Sequence, residues 1–138
     1  MNNTNAYITQ HDLDRLESLI AMARRNHAID LSYLDSLEDA MLAKINIDSR
    51  RVPANVITMN SRARFSDPLL GLPLIYTLVF PTAADADTGM ISVLAPLGQA
   101  MLGAIPGQVI EWTSGGRTRQ LRVDEILYQP EAAGEYHL

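Results

Sequence analysis

Two hydrophobic periods divide the chain. Leu13, Leu16, Ile20 and Ala23 recur at spacings of three, four and three, which places them on one face of a helix. Thr9 precedes this stripe, with Asp12 three residues on, a capping-box pattern that carries an acid where Glu or Gln is usual. Arg24 and Arg25 fall in the last turn, where cations favour the helix dipole, and Asn26 is the expected stop. A second stripe, Leu34, Leu37, Met41 and Ile45, predicts a helix starting at Asp30 or Ser32. Each stripe is too narrow to be stable alone, and the short connection makes the helices antiparallel neighbours. The expectation is a helical hairpin. About 16 residues per helix at ~1.5 Å each give a stubby finger of roughly 24 Å.

Residues 46–55 (NIDSRRVPAN) are polar, contain Pro53 and show no period, so they read as a linker. The predicted organisation is a hairpin over 1–47, a linker over 48–55 and a second unit over 56–138. Strand signals fill that unit. Val56–Phe65 is a mixed stretch broken at Asn60-Ser61, and Leu74–Phe80 is β-branched and aromatic enough for a central strand. A turn at Ala83–Gly89 leads to a strand at Ile91–Leu94 and a short helix at Leu97–Gly103. Gln108–Thr113 and Thr118–Tyr128 form a hairpin through Ser114-Gly115-Gly116. Leu121, Val123 and Ile126 slip in phase, which predicts a bulge near Asp124-Glu125. The fold class is α+β: the helical hairpin, then five or six mostly antiparallel strands around one short helix.

Composition narrows the function. Hydrophobic residues make up 47% of the chain and charged residues 20%, ordinary for a globular protein with a sizeable core. Sixteen acidic and eleven basic residues give a net charge of −5, which argues against affinity built on neutralising phosphates and favours a protein partner. With no cysteine, disulfides, thiolate nucleophiles and Cys-ligated zinc are excluded. Met1–Gln10 lacks the regions of a signal peptide, and the longest apolar stretch, Leu69–Phe80, is broken by Gly71 and Pro73. A soluble, cytoplasmic, monomeric protein is expected.

Catalytic chemistry is scarce. His11, His27 and His137 are not at ligand spacing and read as surface histidines. Asp85-Ala86-Asp87-Thr88-Gly89 opens like a calcium loop but puts Pro96 where the closing Glu belongs, so it is a turn. Arg62, Arg64, Arg117, Arg119 and Arg122 read as a solvated strand face, and Glu125, Glu131 and Glu135 as a polar tail without the cleft that acid–base work needs. No cofactor, metal site or catalytic residue is expected, and the chain is not read as an enzyme.

One segment carries more information. Ile91-Ser92-Val93-Leu94-Ala95-Pro96-Leu97-Gly98-Gln99-Ala100-Met101-Leu102-Gly103, with Gly107 and the Gly115-Gly116 hairpin, resembles the signature of the Gre-type transcription elongation factors. Val56–Arg62 (VITMNSR) and Tyr128–Tyr136 (YQPEAAGEY) are most similar to the subfamily called regulator of nucleoside diphosphate kinase (Rnk). The resemblance implies an FKBP-like C-terminal domain behind a short coiled coil. It implies RNA polymerase as the partner, at the rim of the secondary channel, with nucleic acid reached only through the polymerase.

On that likeness the turn Leu94, Ala95, Pro96 and Leu97 is the polymerase contact. A proline holds such a loop in one shape, so docking orders little chain. Leu94 and Leu97 are either part of that apolar anchor or part of the core, and Pro96 equally suits the first position of a helix. Relatives usually carry a polar pair where Leu94-Ala95 stands. Gre-type transcript cleavage needs acids at the finger tip to hold Mg²⁺, and Mg²⁺ wants at least two hard oxygen ligands. The tip here offers Arg24, Arg25, His27 and a single acid, Asp30, with Asp35 further along. The D-x-x-E-N tip motif is absent and the finger is short, so a polymerase-binding regulator without cleavage activity is expected. Transcript cleavage with Asp30 and Asp35 as ligands is the first alternative. A prolyl isomerase, suggested by fold alone, is the second.

Overall fold

A computed structural model describes residues 6–27 and 29–138. Part of the N-terminal stretch read for a signal peptide, and Ala28 of the finger tip, lie outside these. The chain runs β1 (Tyr7–Thr9), α1 (Gln10–Asn26), α2 (Leu31–Leu42), β2 (Ile45–Ile47), β3 (Arg62–Ser66), β4 (Pro73–Val79), β5 (Met90–Ser92), α3 (Pro96–Met101), β6 (Val109–Ser114) and β7 (Arg117–Tyr128).

The helical stripes fold as their spacing predicts. The Asp12 N–H donates to Thr9 Oγ1 at 3.1 Å, and Leu16, Ile20 and Ala23 are buried along α1. Asp30 caps α2, which buries Leu34, Leu37 and Met41. Two details differ. α1 runs through Asn26, and the cap falls at His27, whose φ of 53° accompanies an N–H bond back to the Ala23 carbonyl. α2 ends at Leu42, so Ile45 leaves the stripe and sits exposed in β2. There β2 pairs parallel with β1 from Tyr7↔Ile45 to Thr9↔Ile47, tying the two ends of the hairpin together.

Five strands form the main sheet in the order β5-β4-β3-β7-β6. All neighbours are antiparallel except β4 and β5. β3 faces β7 with Arg64↔Glu125 followed by Phe65↔Val123, so Asp124 is the extra residue of the expected bulge. The expected strand over Val56–Phe65 is shorter than its pattern: only Arg62–Ser66 is strand. Val56 to Met59 are buried in succession, which a strand with one solvent face does not permit. Their main chain is satisfied elsewhere. The Ile57 N–H donates to the Ala104 carbonyl at 2.9 Å, and the Met59 N–H to Asp12 at 3.0 Å.

Buried residues of the hairpin (Leu16, Leu34, Leu37) and of the sheet (Phe65, Leu78, Val123) belong to one contiguous cluster. The hairpin is therefore seated on the sheet's core. No described helix is long and apolar enough to cross a membrane.

Candidate functional site

The turn before α3 is built by close approach. The Leu94 N–H donates to Ser92 Oγ at 3.1 Å and the Ala95 N–H to the Ser92 carbonyl at 3.0 Å. Pro96 then occupies the first helical turn, where a missing N–H costs nothing. Gly98 completes the arrangement, because a Cβ there would meet the Ser92 carbonyl oxygen at 2.0 Å. The question left open for the two leucines is answered by burial. Leu94 is only 8% exposed and belongs to the core, so it is removed from the surface anchor. Leu97 is half-buried and lines a cleft of about 560 Å³ with Leu74, Tyr76, Trp112 and Arg119. Ala95 and Pro96 remain half-exposed.

Gln99, which the signature leaves variable, ties this turn to the finger. Its side-chain amide donates to the Tyr33 carbonyl at 3.0 Å and to the Leu94 carbonyl at 3.2 Å. One residue of α3 thus bridges α2 and the turn. The sequence gives no cue to this role.

At the finger tip the acids are already engaged. Asp30 accepts from the Ser32 N–H and from Ser32 Oγ, both at 2.8 Å, and these bonds hold its carboxyl below the ordinary range. Arg24 reaches across to α2 and pairs with Asp35 at 2.8 Å and Glu38 at 3.0 Å. Asp35 therefore faces a guanidinium. Arg25 and His27 are exposed. Among the described residues no group of three or more His, Cys, Asp or Glu could hold a metal ion.

A third arrangement sits where α1 meets the sheet, and it corrects the reading of the C-terminal glutamates. Glu131 is not in a solvated tail. It is 6% exposed and accepts from Thr58 Oγ1 at 2.7 Å, and desolvation by burial pushes its carboxyl above the ordinary value. Asp12, fully buried, is likewise raised by desolvation, against the pull of the Met59 N–H and Arg15. Arg15 donates to Asp12 at 2.7 Å and to the Leu138 carbonyl at 2.8 Å, with its guanidinium 4.7 Å from the Phe80 ring centroid. The Gln129 side-chain amide donates to the Pro53 and Val56 carbonyls, each at 2.8 Å. The C-terminal segment is thereby docked on the chain that joins hairpin and sheet.

The sign of the Glu131 effect is fixed by linkage. A carboxyl with a raised folded-state pKa holds its proton longer when folded than when unfolded. Stability then falls as pH rises from about the ordinary value of 4.5 through the folded-state value. Urea unfolding over a pH series is expected to show a shallower loss across that interval in Glu131→Gln than in wild type. Parallel curves would contradict the assignment.

A short helical finger, a domain with a proline-led turn, and a bridge between them through Gln99 define a small α+β protein. Comparison with known proteins places that class. The family model for the transcription elongation factor GreA/GreB C-terminal region matches residues 52–128, more than half of the chain. The regulator of nucleoside diphosphate kinase of Escherichia coli (strain K12) is 38% identical over 139 aligned residues, covering all of both chains. GreA of Flavobacterium johnsoniae is 31% identical over 80 residues, covering 58% of this chain and 51% of that one. Among solved structures, the elongation factor GreA/GreB from Nitrosomonas europaea superposes with a TM-score of 0.73 at 34% identity, covering 89% of this chain and 99% of that one. The chain belongs to the GreA/GreB family.

Proposed function

We propose that this protein is a transcription regulator that binds RNA polymerase at the entrance of the secondary channel through the turn at Ala95-Pro96-Leu97, and that it does not stimulate transcript cleavage. The observation that carries the reading is the contrast between turn and tip. The turn is braced by Ser92 and Gln99, is half-exposed, and adjoins a mixed polar and apolar cleft through Leu97, whereas the tip acids are held by a helix cap and by Arg24. A Mg²⁺ ion bridged by Asp30 and Asp35 would have to displace Arg24 from Asp35. Full-length similarity to a protein named as a regulator, and regional similarity to elongation factors, support the same reading.

Pro96→Asp tests the docking. An acid in the first turn suits the helix dipole, so α3 is expected to persist, while the apolar ring is replaced by a charge. Affinity for purified polymerase, measured by competition with a GreA-type factor, is expected to fall about tenfold or more. Unchanged affinity in a variant with wild-type circular dichroism would overturn the assignment of the turn.

The cleavage alternative has one specific handle. If Asp30 and Asp35 were ligands in reserve, Arg24→Ala would release Asp35 and raise Mg²⁺-dependent cleavage in stalled complexes. No gain is expected. For the isomerase alternative, Tyr76 and Trp112 do line the cleft, but Asp67, Thr118, Arg119 and Gln120 line it too and neither phenylalanine reaches it, so a peptide isomerisation assay is expected to show no activity.

A further inference from the structure

The sheet ends at β6, and this edge is not blunted. Val109–Ser114 contains no Pro, no Lys and no bulge, and Glu111 is its one charge. Its inner side is in register with β7 from Val109↔Arg122 to Ser114↔Arg117 across the two-residue turn Gly115-Gly116. The pair closing such a turn exchanges hydrogen bonds, and bonded and non-bonded pairs alternate beyond it. Ser114, Trp112 and Ile110 therefore turn their main-chain groups to β7. Those of Thr113, Glu111 and Val109 point outward, and none of the three makes another backbone bond among the described residues.

This edge forms the floor of a cleft of about 500 Å³. Ser32, Tyr33, Ser36 and Ala40 line it from α2, and Pro96, Gln99 and Ala100 from α3. From Ser32 to Ala40 the α2 wall runs about 12 Å at ~1.5 Å per residue, the length of roughly four residues of extended strand. Ser32, Ser36 and Ala40 are small, so room for a strand's alternate side chains lies beside them, while Tyr33 narrows the same side.

We infer that β6 is a β-augmentation site: an extended segment of a partner polypeptide adds as a sixth strand in the cleft between β6 and α2. The lining fixes the chemistry of the segment. Glu111 is the one charged residue among the described residues that line the cleft. One of its carboxylate oxygens takes the Gln120 side-chain amide at 2.9 Å, and the other is offered to whatever lies opposite. A strand residue directly across from Glu111 stands within pairing distance on the same face, so that position takes Lys or Arg. Its neighbours on either side turn the other way, toward Trp112 and Pro96, and are apolar. The groove shares Pro96 with the docking turn, yet the inference does not require polymerase to be the partner.

The test uses the full chain against a phage-displayed library of random dodecapeptides. Enriched peptides are expected to share an alternating stretch with a basic residue between apolar ones, and to slow amide exchange at Val109, Glu111 and Thr113. Thr113→Pro removes an outward donor while leaving the β7 ladder intact, since proline is tolerated on an edge. Glu111→Lys reverses the charge on an exposed side chain. Each is expected to weaken those peptides about tenfold, the loss of one or two hydrogen bonds or one ion pair. No enrichment would overturn the inference. So would peptides that bind Glu111→Lys unchanged and leave the three amides at their free exchange rates.

Discussion

Gly98→Ala is expected to lower the thermal midpoint by about 10 °C, or to abolish folding. The added Cβ would sit 2.0 Å from the Ser92 carbonyl oxygen and 2.8 Å from its carbon, both main-chain atoms that cannot rotate away. Relief requires α3 to move off β5. That carries Val93 and Met101, both fully buried, out of the core. Overpacking of this kind costs about 3 kcal/mol or more, which corresponds to the stated midpoint shift for a chain of this size. Gly107→Ala separates close approach from backbone strain. Gly107 has φ +91° but nothing within 4 Å of an added Cβ, so only about 1 kcal/mol of conformational cost is expected there. Calorimetry of the two variants decides. A Gly98→Ala midpoint within a degree or two of wild type would mean the turn is more plastic than described.

Asp12→Ala is expected to cost about 3 kcal/mol and to loosen the hairpin from the sheet. Removing this carboxylate leaves the buried Met59 N–H without an acceptor and takes from Arg15 its charged partner. An orphaned buried donor and a broken ion pair are among the few single-site events with effects this large. Amide exchange adds a spatial signature: residues 7–12 and 57–59 should open together, while β6 and β7 keep their protection. If only α1 becomes labile, Asp12 is a helix residue and not the joint between the two parts.

How much of this was legible beforehand depends on the range of the forces. The helices were, because Leu16, Ile20 and Ala23, and Leu34, Leu37 and Met41, carry a local period that burial only confirms. The β6–β7 hairpin and the bulge at Asp124 followed from a two-glycine turn and a phase slip. β1 and β2 were not, since three residues are too few to show a period and their pairing spans the whole hairpin. Ile45 was misplaced for that reason. The polar junction was missed because polarity alone argues for solvent. Asp12 serves the helix start as its spacing suggests, yet its carboxylate also turns inward to Met59, and nothing local to Glu131 signals the Thr58 hydroxyl that meets it. The candidate turn rested on a family signature. Position alone could not tell that Leu94 faces the core and Leu97 the cleft.

The family relationship assigns the class of protein, and the departures within it carry the functional argument. A proline-led turn is kept and rigidly held. The finger is 17 and 12 residues long in its two helices, and Asp30 and Asp35 at its tip already have partners. Under the proposed function, docking would persist without cleavage because Arg24 and the Ser32 donors already hold Asp35 and Asp30.

The most direct measurement adds this protein to stalled elongation complexes in Mg²⁺, alone and alongside a cleavage-competent GreA factor. The account predicts no transcript shortening by the protein alone, and a dose-dependent loss of GreA-stimulated cleavage that Pro96→Asp relieves. Cleavage by the protein alone, or GreA activity unchanged at saturating amounts of it, would contradict the account.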